Sequence, residues 1–168
     1  MPVTNSCKLG KDVKIPLPDM VNLYGCTIGD RVFVGPFVEI QKNADIGDDS
    51  RVQSHCFICE GVHIGNRVFV GHGVIFINDR NPRANNANWK LEETFVEDDV
   101  AIGSGAVIMC GLRLGKGCTI GCGAVVTKNV KSGQTVAGVP ARRISGKTRK
   151  TSLPAKRATK RKINRKKG

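Results

Sequence analysis

The sequence predicts an all-β fold, a parallel β-helix assembled from hexapeptides, and three regularities predict it. The first is a six-residue spacing of aliphatic side chains: Ile28, Val34, Ile40, Ile46, Val52, Ile58, Ile64 and Val70, then Val96, Ile102, Ile108, Leu114, Ile120 and Val126. The second is a small or modest residue four places after each, from Val32, Val38 and Ala44 through Cys118, Ala124 and Val130. The third is glycine directly after the aliphatic residue, at positions 29, 35, 47, 65, 71, 103, 115 and 121. A helix repeats its apolar face every 3.6 residues and an amphipathic strand every 2, so a period of six fits neither. It fits a short strand followed by a turn, with coils stacked in parallel as in a solenoid. Each aliphatic residue then points inward. Glycine, asparagine and aspartate near the corners accept left-handed backbone.

Taken in order, residues 1–20 contain Val13-Lys14-Ile15 and three prolines, and read as a lead-in segment capping the first coil. Residues 21–143 carry the repeat and form the domain. Within it, residues about 77–95 (INDRNPRANNANWKLEETF) break the frame, hold the only Trp, and read as an inserted surface loop. Loops of this kind usually bear function on a rigid scaffold. Residues 144–168 read as a basic, disordered tail.

Charge divides the chain at the same place. Residues 1–141 carry 14 Lys/Arg and 14 Asp/Glu, whereas residues 142–168 carry 13 Lys/Arg and no acid, which is the whole net charge of +13. A tail of that composition cannot bury a core. It suits weak contact with polyanions, but no aromatic residues interleave with its lysines to stack on bases. No run reaches the ~18 apolar residues of a membrane span. The N-terminal segment lacks a secretory apolar run. The expectation is a cytoplasmic protein. Its seven cysteines, including the lone Cys56-x-x-Cys59, then read as free, mostly buried thiols acting as small apolar residues.

Three segments carry a resemblance: VNLYGCTIGDRVFVGPFVEIQKNADIG (21–47), SHCFICEGVHIGNRVFVGHGVIFINDRNPRA (54–84) and IGSGAVIMCGLRLGKGCTIGCGAVVTKNVKSGQTVAGVPARRI (102–144). Together they resemble the hexapeptide-repeat acyltransferases, and within them the N-acetyltransferases acting on the 3-amino group of nucleotide-linked dideoxy sugars. The resemblance implies a left-handed β-helix with three hexads per coil. It also implies a homotrimer with active sites between subunits, acetyl-CoA as co-substrate, and a UDP- or dTDP-linked amino sugar as acceptor, commonly destined for bacterial surface glycans. No metal is expected.

Amine attack on a thioester needs a free amine, donors for the oxyanion and a route for one proton. Asn78 suits the orientation of the amine through its neutral amide. His72 carries an imidazole, the side chain type suited to exchanging protons at neutral pH, and stands third in its hexad, facing outward, so it is the candidate for proton handling. A sugar amine is a weaker base than lysine, and the leaving thiolate is able to take the proton directly. Asn78 is therefore ranked ahead of His72. For the sugar nucleotide, His55, Glu60 and Asp79 are candidate contacts. Arg80 and Arg83 carry forks suited to pyrophosphate or a carboxylate, and Tyr24 or Phe37 are available to stack on a base. On the coenzyme side, Ser104, Gly105, Ala106, Gly121 and Gly123 are small enough to admit a pantetheine arm. The resemblance places Gly138, Pro140 and Arg142 near adenine and phosphates, with Lys128 and Arg143 as further cations. Two other readings stay open: transfer to another amine or hydroxyl, and a non-catalytic β-helix. A zinc carbonic-anhydrase-like site needs three convergent imidazoles, whereas His55, His63 and His72 occupy three different hexad positions.

Overall fold

The computed structural model describes Val3 and residues 6–144; the basic tail expected as a disordered arm lies outside the described residues. The chain winds as a left-handed parallel β-helix, a three-sided prism of strands two or three residues long. Face I stacks Asn22–Leu23, Glu39–Ile40, Phe57–Ile58, Ile75–Phe76, Val107–Ile108 and Val125–Val126. Face II stacks Lys8–Leu9, Thr27–Ile28, Asp45–Ile46, Val62–Ile64, Thr94–Val96 and Arg113–Leu114. Face III runs from Phe33–Val34 through Arg51–Val52, Phe69–Val70, Ala101–Ile102 and Thr119–Ile120 to Thr135–Ala137, and ends on Arg142–Arg143. Every strand pair is parallel except the last, where Val136 faces Arg143. A single 3-10 turn, Pro18–Met20, is the only helix among the described residues, and none is long and apolar enough to cross a membrane.

The hexad explains this shape residue by residue. Its first residue points inward and is buried in every coil, from Ile28 to Val126. The fifth is buried as well: Val32, Val38, Ala44, Ser50, Cys56 and their successors line the inside of each corner rather than merely permitting a bend. Burial of each Val, Ile or Leu side chain contributes roughly 1.5–3 kcal/mol. Ser50 is the polar exception, fully buried with its Oγ donating to the Gly65 carbonyl and accepting from the Val68 N–H at 2.9 Å each. The frame extends further than its aliphatic members. Phe76 and Leu23 are fully buried, and Leu23 pairs with Ile40 although it stands one residue out of phase. In the lead-in segment, Lys8 and Leu9 pair with Thr27 and Ile28, so residues before 21 already add to the prism.

One expectation needs correcting. The left-handed residue is the fourth of the hexad, and eight positions with positive φ carry side chains, among them Arg31 (57°), Phe37 (59°), Asn43 (57°) and His55 (62°). The glycine that recurs at the second position serves close approach between coils instead. A Cβ on Gly103 would stand 2.5 Å from the Cys122 amide nitrogen one coil away.

The corner between faces II and III is consumed by structure. The Oδ1 atoms of Asp30, Asp48, Asn66 and Asp98 accept from the backbone N–H of the preceding coil at 2.8–2.9 Å. Beside this ladder, Arg31 pairs with Asp49 and Arg67 with Asp99, both at 2.7 Å. The guanidinium partners hold the Asp49 and Asp99 carboxyls below their ordinary pKa.

Candidate functional site

The corner between faces III and I is built differently. Its third-position column runs Pro36, Ser54, His72, Ser104, Cys122, one residue per coil. Ser54 Oγ and His72 Nδ1 are hydrogen bonded at 2.8 Å, and the His72 backbone N–H donates to Ser104 Oγ at 3.1 Å. The imidazole is exposed, so its ring is oriented from behind while Nε2 has no hydrogen-bond partner among the described residues. Ser54 stands eighteen residues before His72, one full coil, and that spacing was available in the sequence although Ser54 was not singled out.

Along the fourth-position column of the same corner, side chains give way to bare backbone. Phe37 and His55 come first, their rings stacked at 4.7 Å with Phe37 54% exposed. Gly73, Gly105 and Gly123 follow, and a Cβ would meet nothing within 4 Å at Gly73 and Gly123 and nothing nearer than 3.9 Å at Gly105. The lane is stitched by the N–H groups of Gly105 and Gly123, which donate to the His72 and Ser104 carbonyls at 2.8 and 2.9 Å. It ends where the Gly138 carbonyl accepts from the Val125 N–H, beside the cis Val139–Pro140 bond. At the open end of the prism a cleft of about 220 Å³ is lined by Lys128, Arg142 and Arg143 together with Asn129 and Gln134. Three cations expected on the coenzyme side therefore share one cleft. Two neighbouring expectations fail. Ala106 is completely buried, with its N–H and C=O both used inside the prism, so it is a core residue. Gly121 lies against Ala137, whose Cβ would be 2.6 Å from a Cβ at that position, and its role is packing.

The remaining candidates gather at the opposite edge of face I, where it turns into face II. Tyr24 donates to Glu39 at 3.4 Å, and its phenol pKa is raised by burial and by that carboxylate. Glu60 accepts from Asn43 Nδ2 at 2.9 Å and lies 3.7 Å from Lys42 Nζ. Asn78 is half-buried where the inserted loop leaves Ile75–Phe76. Asp79 Oδ1 accepts from the Asn81 N–H at 2.9 Å, and among the described residues Arg83 donates only to the Pro82 carbonyl at 3.0 Å. Arg80 departs from its expected anion-binding role. Its Nη2 donates to Glu92 at 3.0 Å and to the Cys110 carbonyl at 2.7 Å, so the fork is spent tying the loop to the next coil. His72 and Asn78 thus stand at opposite edges of one face. Six residues span at most about 20 Å when extended.

His63 sits on the outside of face II, apart from both groups. Its Nδ1 lies 2.6 Å from Asp45 Oδ1, its Nε2 lies 3.3 Å from Glu93 Oε1, and its ring stacks on Phe95 at 4.8 Å. Burial by itself lowers the imidazole pKa, but the hydrogen bonds and charges of Asp45 and Glu93 outweigh it and raise the pKa above the ordinary 6.5. This contribution to stability is complete below about pH 6.5 and is lost as pH rises through the raised native value. His63→Gln is expected to flatten the fall of the urea midpoint between neutral and mildly alkaline pH, and an unchanged slope would assign that fall to other groups.

The cysteine reading agrees with the burial. Cys26, Cys56, Cys59, Cys110 and Cys118 are buried, and burial pushes the Cys59 thiol up to about 12 and Cys118 to about 11. Cys122 alone is exposed, at the His72 corner.

Comparison with known proteins finds similarity over part of the chain. Residues 25–60 and 93–128 match the bacterial transferase hexapeptide (six repeats). The bifunctional protein GlmU of Aromatoleum aromaticum is 39% identical over 110 residues, which is 66% of this chain and 22% of that protein. The chain thus spans less than a quarter of the length of the curated relatives it matches. Among solved structures, a hexapeptide-repeat acetyltransferase of Vibrio cholerae O1 biovar eltor complexed with acetyl coenzyme A superposes with a TM-score of 0.63 at 25% identity, covering 72% of this chain and 70% of that one. A galactoside acetyltransferase in complex with coenzyme A gives a TM-score of 0.64 at 27% identity over 70% of this chain and 63% of that one. The six-residue frame and the prism it folds into are shared with hexapeptide-repeat transferases, which the chain resembles over part of its length.

Proposed function

We propose that the chain transfers an acetyl group from acetyl-CoA to the 3-amino group of a nucleotide-linked amino-dideoxy sugar. The observation that carries this reading is the corner between faces III and I. A lane of bare backbone, Gly73, Gly105 and Gly123, leads from His72 toward Gly138 and Pro140. A cleft holding Lys128, Arg142 and Arg143 opens at the same end of the prism. A long thin thioester arm lies well against backbone without side chains, and phosphates are attracted by clustered cations. The acetyl-CoA and coenzyme A complexes of the two similar acetyltransferases favour the same ligand. The amino-sugar acceptor rests on the resemblance of SHCFICEG and GHGVIFINDRNPRA.

The reaction needs no covalent intermediate. The amine lone pair attacks the thioester carbonyl, the C–N bond forms, and a tetrahedral oxyanion results. Its collapse breaks the C–S bond, and the thiolate takes the proton from nitrogen to leave as coenzyme A. Asn78 accepts from an amine hydrogen and aims the lone pair. His72 and Asn78 are separated by face I, whose outward side chains are polar at Asn22 and Glu39 and apolar from Phe57 through Ile75 and Val107 to Val125, with Ile75 43% exposed. A neighbouring copy packed on that face would cover the apolar ladder and bring His72 of one chain to Asn78 of the next. This is why the site is proposed to belong to a homotrimer.

Coenzyme release, followed as free thiol across UDP- and dTDP-linked 3-amino sugars, tests the acceptor. Release with a hydroxyl or a different amine but with none of these sugars would move the activity to another acceptor. No release with any acceptor, alongside tight binding of one, would make the protein a binding module. One observation favours a variant mechanism: Ser54 orients His72 as it would a general base. Under direct amine attack His72→Asn keeps turnover within about tenfold and leaves the pH profile unchanged, since a general base is worth about 10²–10⁴. A larger loss, with the acidic limb of the profile gone, assigns the base role to His72.

A further inference from the structure

The inserted loop folds over a cleft of about 330 Å³ that the coenzyme lane does not use. That volume lies at the small end of ligand sites. Trp89, the chain's only tryptophan, lines it and is 40% exposed. The cleft is held in shape from within. Trp89 N–H donates to the Asn86 carbonyl at 3.3 Å, the Asn88 N–H donates to Asn86 Oδ1 at 3.1 Å, and the Arg80–Glu92 pair closes the base at 3.0 Å. Among the described residues no hydrogen bond engages the Trp89 indole N–H or the side-chain amides of Asn81 and Asn88.

The lining selects a class of ligand. Its formal charges cancel, Asp79 and Glu92 against Arg80 and Lys90, so a nucleotide phosphate gains no net attraction there. The one guanidinium fork is already occupied by Glu92 and the Cys110 carbonyl. What is offered instead is an aromatic plate ringed by amides that both donate and accept. That combination suits a pyranose, whose C–H face lies on an indole while its hydroxyls bond to amides. Asp79, next in sequence to Asn78, adds a carboxylate able to attract an ammonium group. We propose that this cleft binds the pyranose ring of the amino-sugar acceptor, with Trp89 as its platform and Asn81 and Asn88 as hydroxyl readers. The proposal rests on the acyl-transfer reading for the identity of the sugar, but not for the existence of a ring site.

A single tryptophan makes the test direct. Titration of the full chain with nucleotide-linked 3-amino sugars, with a methyl 3-amino-3-deoxyglycoside, and with UDP or dTDP alone is read by intrinsic fluorescence. Ligands that carry the ring are expected to shift Trp89 emission saturably, and free nucleotides to leave it unchanged. Trp89→Ala is expected to raise KM for the nucleotide sugar by about tenfold or more, with KM for acetyl-CoA within about twofold, and Trp89→Phe to recover most of the loss. Matching unfolding midpoints for the two variants separate binding from folding. A sugar that is turned over without moving the emission would overturn the proposal, as would an equal response to free nucleotide or a Trp89→Ala KM within about threefold of the parent. Saturable emission with a sugar that is never acetylated would leave the ring site standing and remove the transfer reading. No response and no turnover with any sugar would overturn both.

Discussion

Asn78→Ala is expected to lower kcat for amino-sugar acetylation about a hundredfold, with KM for acetyl-CoA little changed. The size follows from what the residue is asked to do. A nucleophile held off line by about 1 Å loses on the order of 10²-fold in rate, and an amide that fixes the lone pair of an otherwise free amine supplies that alignment. Asn78 suits the role through its position. It is half-buried where the loop departs from a strand, next in sequence to Asp79, which lines the loop cleft. Asn78→Asp separates two explanations. An added negative charge retains an acceptor but favours the protonated amine, so its turnover should fall at neutral pH and recover as pH rises. An alanine variant with turnover within about threefold of the parent would remove Asn78 from the reaction.

The largest structural effect is expected at Gly103. A Cβ there would lie 2.5 Å from the Cys122 nitrogen and 2.9 Å from its Cα, both fixed in the adjacent coil. Neither atom is able to yield without stretching the ladder in which the Gly103 N–H donates to the Ile120 carbonyl at 2.8 Å. Overpacking in a rigid interior costs about 1–3 kcal/mol and occasionally more, and a clash with backbone belongs at the upper end. Gly103→Ala is expected to lower Tm by about 6–12 °C, at 2–4 °C per kcal/mol for a chain of this size. Gly117 provides the contrast. It has φ of 66° and open space where its Cβ would go. Gly117→Ala therefore meets only the left-handed penalty of about 1–2 kcal/mol, and should lower Tm by about one third to two thirds as much. Equal midpoints for the two variants would show that coil spacing is not what selects glycine at the second position.

These two glycines show where reading the chain succeeds and where it stops. Both stand in a six-residue frame visible without coordinates, in which glycine is expected near the corners. Which one avoids a collision and which one accommodates a left-handed turn depends on the distance between coils, a quantity no local pattern contains. Arg80 and Ala106 make the same point for the site. As a loop arginine, Arg80 looked available for a pyrophosphate, but Glu92 and the Cys110 carbonyl, twelve and thirty residues away, occupy it. Ala106 looked like a small coenzyme contact, but the fifth position of a hexad turns inward. Ser54 is legible as a partner of His72 once residues eighteen apart are known to stack.

By itself the sequence determined the repeat, the inward residues, the interruption at the inserted loop and the division between a neutral body and a basic tail. It could do so because each hexad is a local unit whose burial pattern repeats with the chain. Tertiary structure decided which of three corners is free to act. One corner is filled by its own aspartate ladder and ion pairs. The corner of His72 keeps an oriented imidazole above bare backbone, and the far edge of face I keeps Asn78 where the loop that forms the Trp89 cleft begins. Those outcomes depend on which side chains from successive coils meet, and stacking at eighteen residues brings together groups that six-residue periodicity alone leaves equivalent.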